Sequence, residues 1–255
     1  MAKGKGVLDG RTAIVTGSTG EGMGRQTAWT LAREGCNIVL NYGTYRRGDA
    51  AARKAAKECE ALGGRAIAVR ADTRKATDLE RMVAAAESGF GRVDIAVANG
   101  GGDLIERPLE KLTQAEWHKV VDAEVDGLLF LAKAVLPAMR KQAWGRIVSI
   151  GWDRAQTPSA LPYDYAVGKA ARDLLAQKLA RAERDHGVTV NTVAPGYIPY
   201  PTDAQSRDFV RHGKQWDARK RSTNQDVAEA VLWLCREESR FVTGSRIEVY
   251  GAGAG

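Results

Sequence analysis

The most constraining stretch of this chain is an apolar run that opens straight into a glycine cluster and then into a helix pattern. Thr12–Ala13–Ile14–Val15–Thr16 is rich in β-branched residues, as expected of a strand buried on both faces of a parallel sheet. Gly17–Ser18–Thr19–Gly20–Glu21–Gly22–Met23–Gly24 follows, with Arg25 next. Ala28, Leu31 and Ala32 then recur at helical spacing, and Gly35 stops the helix. Strand, glycine loop and helix start in this order build a site for a dinucleotide phosphate. Glycines let the backbone approach the pyrophosphate, and the helix N-terminus offers it free N–H groups. An ordinary glycine-rich turn would share the composition, but the strand before and the helix after favour the nucleotide.

The same alternation continues to the end. Apolar strand patterns occupy Asn37–Asn41, Ala66–Val69, Val93–Ala98, Gly145–Gly151, Val188–Val193 and Ser245–Val249. Helix patterns lie between them at about 48–62, 78–87, 113–141, around Tyr165–Lys169 and at 225–235. Val120, Val121, Leu128, Leu129 and Ala132 are expected to form the packed face of the long helix. Strictly alternating strands and helices predict an α/β fold, one domain over residues 1–255, with a doubly wound parallel sheet of about seven strands and helices on both faces. A length of 255 residues, 44% hydrophobic, supports a large buried core for it.

Composition narrows the setting. No apolar run approaches the roughly 18 residues needed to span a bilayer, and the basic start from Met1 to Gly6 is not built like a signal peptide. Cys36, Cys59 and Cys235 fit neither a disulfide framework nor metal spacing, so no metal site is expected and a cytoplasmic location is. The net charge of +7 is dispersed and lacks a basic stripe interleaved with aromatics, so nucleic acid is not an expected partner.

Several residues fall at strand ends, where doubly wound sheets bind ligands. An acid ending the second strand would hold a ribose 2′-hydroxyl. Asn41 stands there instead, with Arg46 and Arg47 following and Arg25 beside the glycine loop, so the pattern predicts NADP(H) through arginine contacts to a 2′-phosphate. Asp72 follows the third strand, where adenine would lie, and Asn99–Gly100–Gly101 follows the fourth. Tyr165 and Lys169, four residues apart, share one helix face. A nearby ammonium favours the ionised form of a phenol, which suits a tyrosine to exchange a proton with a reacting oxygen. Alone, that spacing favours a surface helix pair over a catalytic one.

Taken in order, these pieces resemble the short-chain dehydrogenase/reductase family of the classical type, close in layout to β-oxoacyl-carrier-protein reductases. The resemblance spans residues 8–251: the Thr16–Gly17 to Gly22–Met23–Gly24–Arg25 loop, Asp72, Asn99–Gly100–Gly101, Tyr165 and Lys169, Asn191 with Pro195–Gly196, and Phe241–Val242–Thr243–Gly244. It implies that Tyr165 exchanges the substrate proton, and that Lys169 lowers its pKa and binds the nicotinamide ribose. It also implies that Gly17, Thr19, Gly22, Met23, Pro195, Gly196 and Ile198 line the cofactor. Tyr197–Arg221 becomes an expected substrate lid, with Tyr197, Tyr200 or Trp216 against an aromatic or anionic small molecule, and the chain an expected dimer or tetramer.

Three departures stand out. The glycine loop has one extra residue. Trp152 occupies the position of the serine that holds the substrate carbonyl, thirteen residues before Tyr165, with Asp153 beside it. Glu124 occupies the position of an asparagine that supports the lysine, and so becomes an expected ion-pair partner of Lys169, raising its pKa. The expected function is NADP(H)-dependent reduction of a C=O, C=N or C=C group through an atypical site. A non-redox enzyme (dehydratase, isomerase or cyclase) and a nucleotide-binding pseudoenzyme are the alternatives on the same fold.

Overall fold

The computed structural model describes residues 6–43, 48–153, 162–196, 198 and 222–249. The strands are β1 (Thr12–Val15), β2 (Asn37–Tyr42), β3 (Ala66–Arg70), β4 (Ile95–Ala98), β5 (Gly145–Ile150), β6 (Val188–Pro195) and β7 (Arg246–Val249). They form one sheet in the order β3-β2-β1-β4-β5-β6-β7, every neighbouring pair parallel. Parallel pairing requires each connection to cross back over a face of the sheet. Helices α1 (Met23–Arg33), α2 (Asp49–Leu62), α3 (Ala76–Phe90), α4 (Gln114–Lys141), α5 (Tyr163–Glu183) and α6 (Asn224–Cys235) lie in those crossovers.

Strand alternation divides the core in two. Ala13 and Val15 join α1, α2 and α6 on one face, while Ile14 joins α3, α4 and α5 on the other. The central strands are apolar on both sides, which is why they read as unbroken runs.

Element bounds move slightly from the sequence expectation. β4 begins at Ile95, because the Asp94 carboxylate accepts from the Thr12 N–H at 2.9 Å and pairs with Arg11 and Arg92. Thr113 and Glu116 cap α4 reciprocally. The packed stripe of that helix includes Val120, Leu128 and Ala132, as its periodicity predicts, but Val121 and Leu129 are only half-buried. Leu131, Val135 and Met139 are buried in their place, together with Glu124.

The strand order grows in opposite directions from β1 and β4, which makes their C-terminal ends the topological switch point where such sheets hold ligands. Arg46, Arg47, Tyr197, Tyr200 and Trp216, and almost all of the expected lid, lie outside the described residues.

Candidate active site

The glycine loop is latched to both neighbouring strands. The Thr16 hydroxyl accepts from the backbone N–H groups of Asn99 (2.9 Å) and Gly100 (2.8 Å), and Asn99 Nδ2 donates to the Thr16 carbonyl at 2.9 Å. Ser18 Oγ donates to the Val15 carbonyl at 2.7 Å and accepts the Asn41 N–H at 3.1 Å. Gly17 has φ +61°, and a Cβ there would sit 3.1 Å from Gly100 Cα, so only glycine serves both the turn and the approach. Gly24 is equally confined, because a Cβ would meet Asn99 Nδ2 at 2.4 Å. Gly22 is the N-cap of α1, Met23 starts the helix, Thr19 is buried in the loop, and the first turn carries neither a side-chain cap nor an acid. A glycine-shaped turn before an uncapped helix start fits a pyrophosphate, extra residue included.

Two expected cofactor contacts find other partners. Asn41 Oδ1 accepts the Gly17 N–H at 3.0 Å and its Nδ2 donates to the Ala71 carbonyl at 3.0 Å, so Asn41 shapes the loop from within. Arg25 is buried, donates through Nε to Glu58 Oε2 at 3.1 Å and stacks over Trp29 at 5.1 Å. Through these contacts it joins α1 to α2. Asp72 faces the ligand edge, but Arg74 donates to both its oxygens (3.0 and 2.9 Å) and holds the carboxyl below its ordinary pKa. Pro195 ends β6, with Gly196 just after it, and its carbonyl accepts the Asp153 N–H at 3.1 Å, while Ile198 packs against the α1–α6 core.

The catalytic candidates converge on α5. Pro162 precedes the helix, and the buried Asp164 takes the Tyr165 N–H at 2.9 Å while pairing with Arg107 at 3.3 Å. Tyr165 and Lys169 stack one turn apart, with Lys169 Nζ 5.3 Å from the phenol ring centre. Lys169 is buried, donates to the Ile150 carbonyl at 2.9 Å and pairs with Glu124 Oε2 at 3.0 Å. Trp152, half-buried at the end of β5, meets Tyr165 edge-on at 5.5 Å between ring centres. Asp153 beside it is buried.

Two glycines make room for a glutamate at this place. A Cβ on Gly101 would lie 2.2 Å from Glu124 Oε1, and one on Gly168 would lie 3.1 Å from Glu124 Cβ. The carboxylate therefore sits between the β4–α4 loop and α5, with Oε1 accepting the Gly102 N–H at 2.9 Å.

Arg172 is the residue that the sequence expectation did not include. It is fully buried, and its Nη1 donates to Glu124 Oε2 at 2.7 Å and to the Gly100 carbonyl at 3.0 Å. Nε donates to Ser149 Oγ at 2.9 Å, and Nη2 to the Ala98 carbonyl. The available signal was its spacing: residues 165, 169 and 172 fall on one helix face. The expected rise of the Lys169 pKa is reversed. Burial and the Arg172 charge lower it, outweighing the pull of Glu124 in the other direction. Burial pushes Glu124 up, but Lys169 and Arg172 together bring it below the ordinary carboxylate value.

Comparison with known proteins agrees with this geometry. Residues 17–251 match a family model described as enoyl-(acyl carrier protein) reductase. The chain is 30% identical to glucose 1-dehydrogenase 2 of Bacillus subtilis, covering 96% of this chain and 95% of that protein. It is 30% identical to the 3-oxoacyl-[acyl-carrier-protein] reductase FabG of Salmonella typhimurium, covering 96% and 97%. Among solved structures, a short-chain dehydrogenase/reductase from Burkholderia xenovorans superposes with a TM-score of 0.81 at 30% identity, over 96% and 97% of the two chains. With its seven-stranded sheet, glycine loop and Tyr165–Lys169 pair at the switch point, the chain belongs to the classical short-chain dehydrogenase/reductase family of oxidoreductases.

Proposed function

We propose that this protein is an NADP(H)-dependent reductase of a C=O, C=N or C=C group in a small molecule, with Tyr165 as the acid–base and Lys169 as its tuner. The observation that carries it is the buried Lys169 ammonium, held at 2.9 Å from the Ile150 carbonyl and 5.3 Å from the Tyr165 ring, at the edge of the sheet that bears the glycine loop. Gly17, Thr19, Gly22, Met23, Gly24, Asn99, Gly100, Pro195, Gly196 and Ile198 would line the dinucleotide, and Asp72 would stand near the adenine. The bound nicotinamide supplies the hydride.

The chain's own residues handle the proton. Tyr165 gives it to the substrate atom opposite the hydride, and the ammonium beside it stabilises the phenolate left behind. Two of the three N–H groups of Lys169 are engaged by Ile150 and Glu124, which leaves one for the ribose or the phenolate.

Trp152 distinguishes this site. An indole offers one N–H and no hydroxyl, so carbonyl polarisation is weaker than with serine, and C=N substrates, which need protonation at nitrogen, lose least. Exposed Leu104 and Ile105 in the β4–α4 loop, together with Trp152, favour a substrate with an apolar or aromatic body. Preference for NADP(H) rests on Arg46 and Arg47 and on the uncharged Asn41 side chain. Free, buried cysteines favour the cytoplasm, and exposed Val167 and Leu174 on one face of α5 favour a homo-oligomer.

The test is NADPH oxidation over a panel of ketones, imines and enones with wild type and Tyr165→Phe. We expect turnover of at least one class, falling by ~10²-fold or more without the phenol. Cofactor binding with no turnover across the panel, or full activity in Tyr165→Phe, refutes it.

A further inference from the structure

Arg172 has no place in the chemistry assigned above, yet it is among the largest fully buried side chains, and every nitrogen of its guanidinium is engaged. An ionised side chain placed there must be balanced by the charges it meets. It shares one oxygen of Glu124 with Lys169: Arg172 Nη1 lies 2.7 Å and Lys169 Nζ 3.0 Å from Oε2. With an asparagine at position 124 and a neutral residue at 172, Lys169 would be the sole charge of the group, a net of one positive. Glu124 alone would cancel it to zero. Glu124 with Arg172 returns the sum to one positive.

We propose that Arg172 is a positioning residue for the reaction. It offsets the charge of Glu124 and clamps that carboxylate to the Gly100–Gly102 loop, so that Lys169 still acts as a net cation on Tyr165. The inference rests on the Tyr165–Lys169 assignment.

The location allows this and little else. Arg172 is closed off from ligands by Ala98, Gly100 and Ser149 as well as by Glu124, so it does not touch substrate. It works through Glu124, one residue removed from Lys169. Among the described residues, the other charged groups facing this corner are Asp164 with Arg107, at the start of α5, the buried Asp153 after β5, and Asp173, which also acts on Lys169 and is paired with Arg246 of β7. None of these reaches the Glu124 carboxylate.

The sign of the effect makes a structural role distinguishable from an electrostatic one. In Arg172→Leu the local sum falls to zero, and the phenolate of Tyr165 loses a stabilising charge. In Glu124→Asn the sum rises to two positive and the phenolate gains one. In the double variant it returns to one. The phenol is followed by ultraviolet difference titration, subtracting the same background carrying Tyr165→Phe, alongside pH profiles of turnover. Arg172→Leu is expected to raise the Tyr165 pKa by about one unit, Glu124→Asn to lower it by a similar amount, and the double variant to lie within a few tenths of wild type. Turnover should fall at least tenfold in Arg172→Leu at neutral pH and recover most of that loss in the double variant.

Equal titrations in wild type and Arg172→Leu overturn the proposal. So do shifts of the same sign in both single variants, or a double variant no better than the worse single one. Should Arg172→Leu fail to fold, a double variant that folds but titrates away from wild type overturns it equally. The titration needs no turnover. Loss of the catalytic assignment, seen as full activity in Tyr165→Phe, is therefore read separately from loss of the charge balance.

Discussion

Trp152 is the side chain on which the proposed site departs most from the family layout read in the sequence. Its ring meets Tyr165 edge-on at 5.5 Å, and by the proposed family layout it stands at the position of the serine. Removing one such donor costs ~10²–10³ in rate, so wild type should reduce simple ketones and β-oxoacyl substrates poorly. Trp152→Ser should raise that ketone activity by ~10-fold, a fraction of the full donor contribution, while leaving the native substrate no better served. NADPH oxidation by the two proteins on matched ketones checks it. Wild-type ketone reduction at ordinary family rates would show that the indole, or a neighbour, does the work of the serine.

At the scale of elements, Glu124 joins α4 to α5 and both to the loop after β4. Its partners are Lys169, Arg172 and the Gly102 N–H. Glu124→Gln would leave two buried cations without their carboxylate, a loss of about 3–5 kcal/mol at neutral pH. The folded Glu124 has its pKa below the ordinary value, through Lys169 and Arg172 against the opposing effect of burial. Its stabilisation is therefore full above about pH 4.3, the ordinary glutamate value, and is lost as pH falls through the lowered folded one. Denaturant melts of wild type and Glu124→Gln should thus diverge at neutral pH and converge in acid. A gap independent of pH would mean that packing, not charge, sets it.

The same junction explains Gly101, which the sequence pattern marked only as a cofactor contact. A methyl at that position would lie 2.2 Å from Glu124 Oε1, and the carboxylate is held too firmly to step aside. Gly101→Ala is expected to cost about 1–3 kcal/mol by overpacking and to lower turnover with it. Melting and rates together would show this, and a variant as stable and active as wild type would mean the carboxylate is free to move.

Two expectations belong to the whole molecule. With Arg25 paired to Glu58, the proposed preference for NADPH over NADH would fall to Arg46 and Arg47. Calorimetric titration should find NADPH tighter, and replacing both arginines by alanine should remove most of the difference. Equal affinity in wild type would refute the assignment. Val167 (47% exposed) and Leu174 (55%) lie seven residues apart on one face of α5, an apolar surface suited to a second copy of the chain. Leu174→Glu should shift the protein toward monomer in analytical ultracentrifugation, and an unchanged assembly would place the interface elsewhere.

The fold was legible in the residues because its signals are local. Apolar runs such as Thr12–Val15 and Val188–Val193 alternate with helical periods, and parallel sheets buried on both faces leave that mark in any sequence. The glycine loop and the Tyr165–Lys169 spacing could be read for the same reason, since each lies within one element or one turn. The pairing of Glu124 with Lys169 was accessible only through the family layout, because it spans two helices. Tertiary structure alone decided the rest. Arg25 and Asn41 carry the right chemistry for a nucleotide, yet Glu58, Gly17 and Ala71 claim them, and a side chain's partner across the fold is invisible to its own neighbours in sequence. Arg172 looks like a solvated helix charge until α5 packs on α4 and closes it beneath the candidate active site. There burial and a shared carboxylate, rather than residue type, determine how its charge acts.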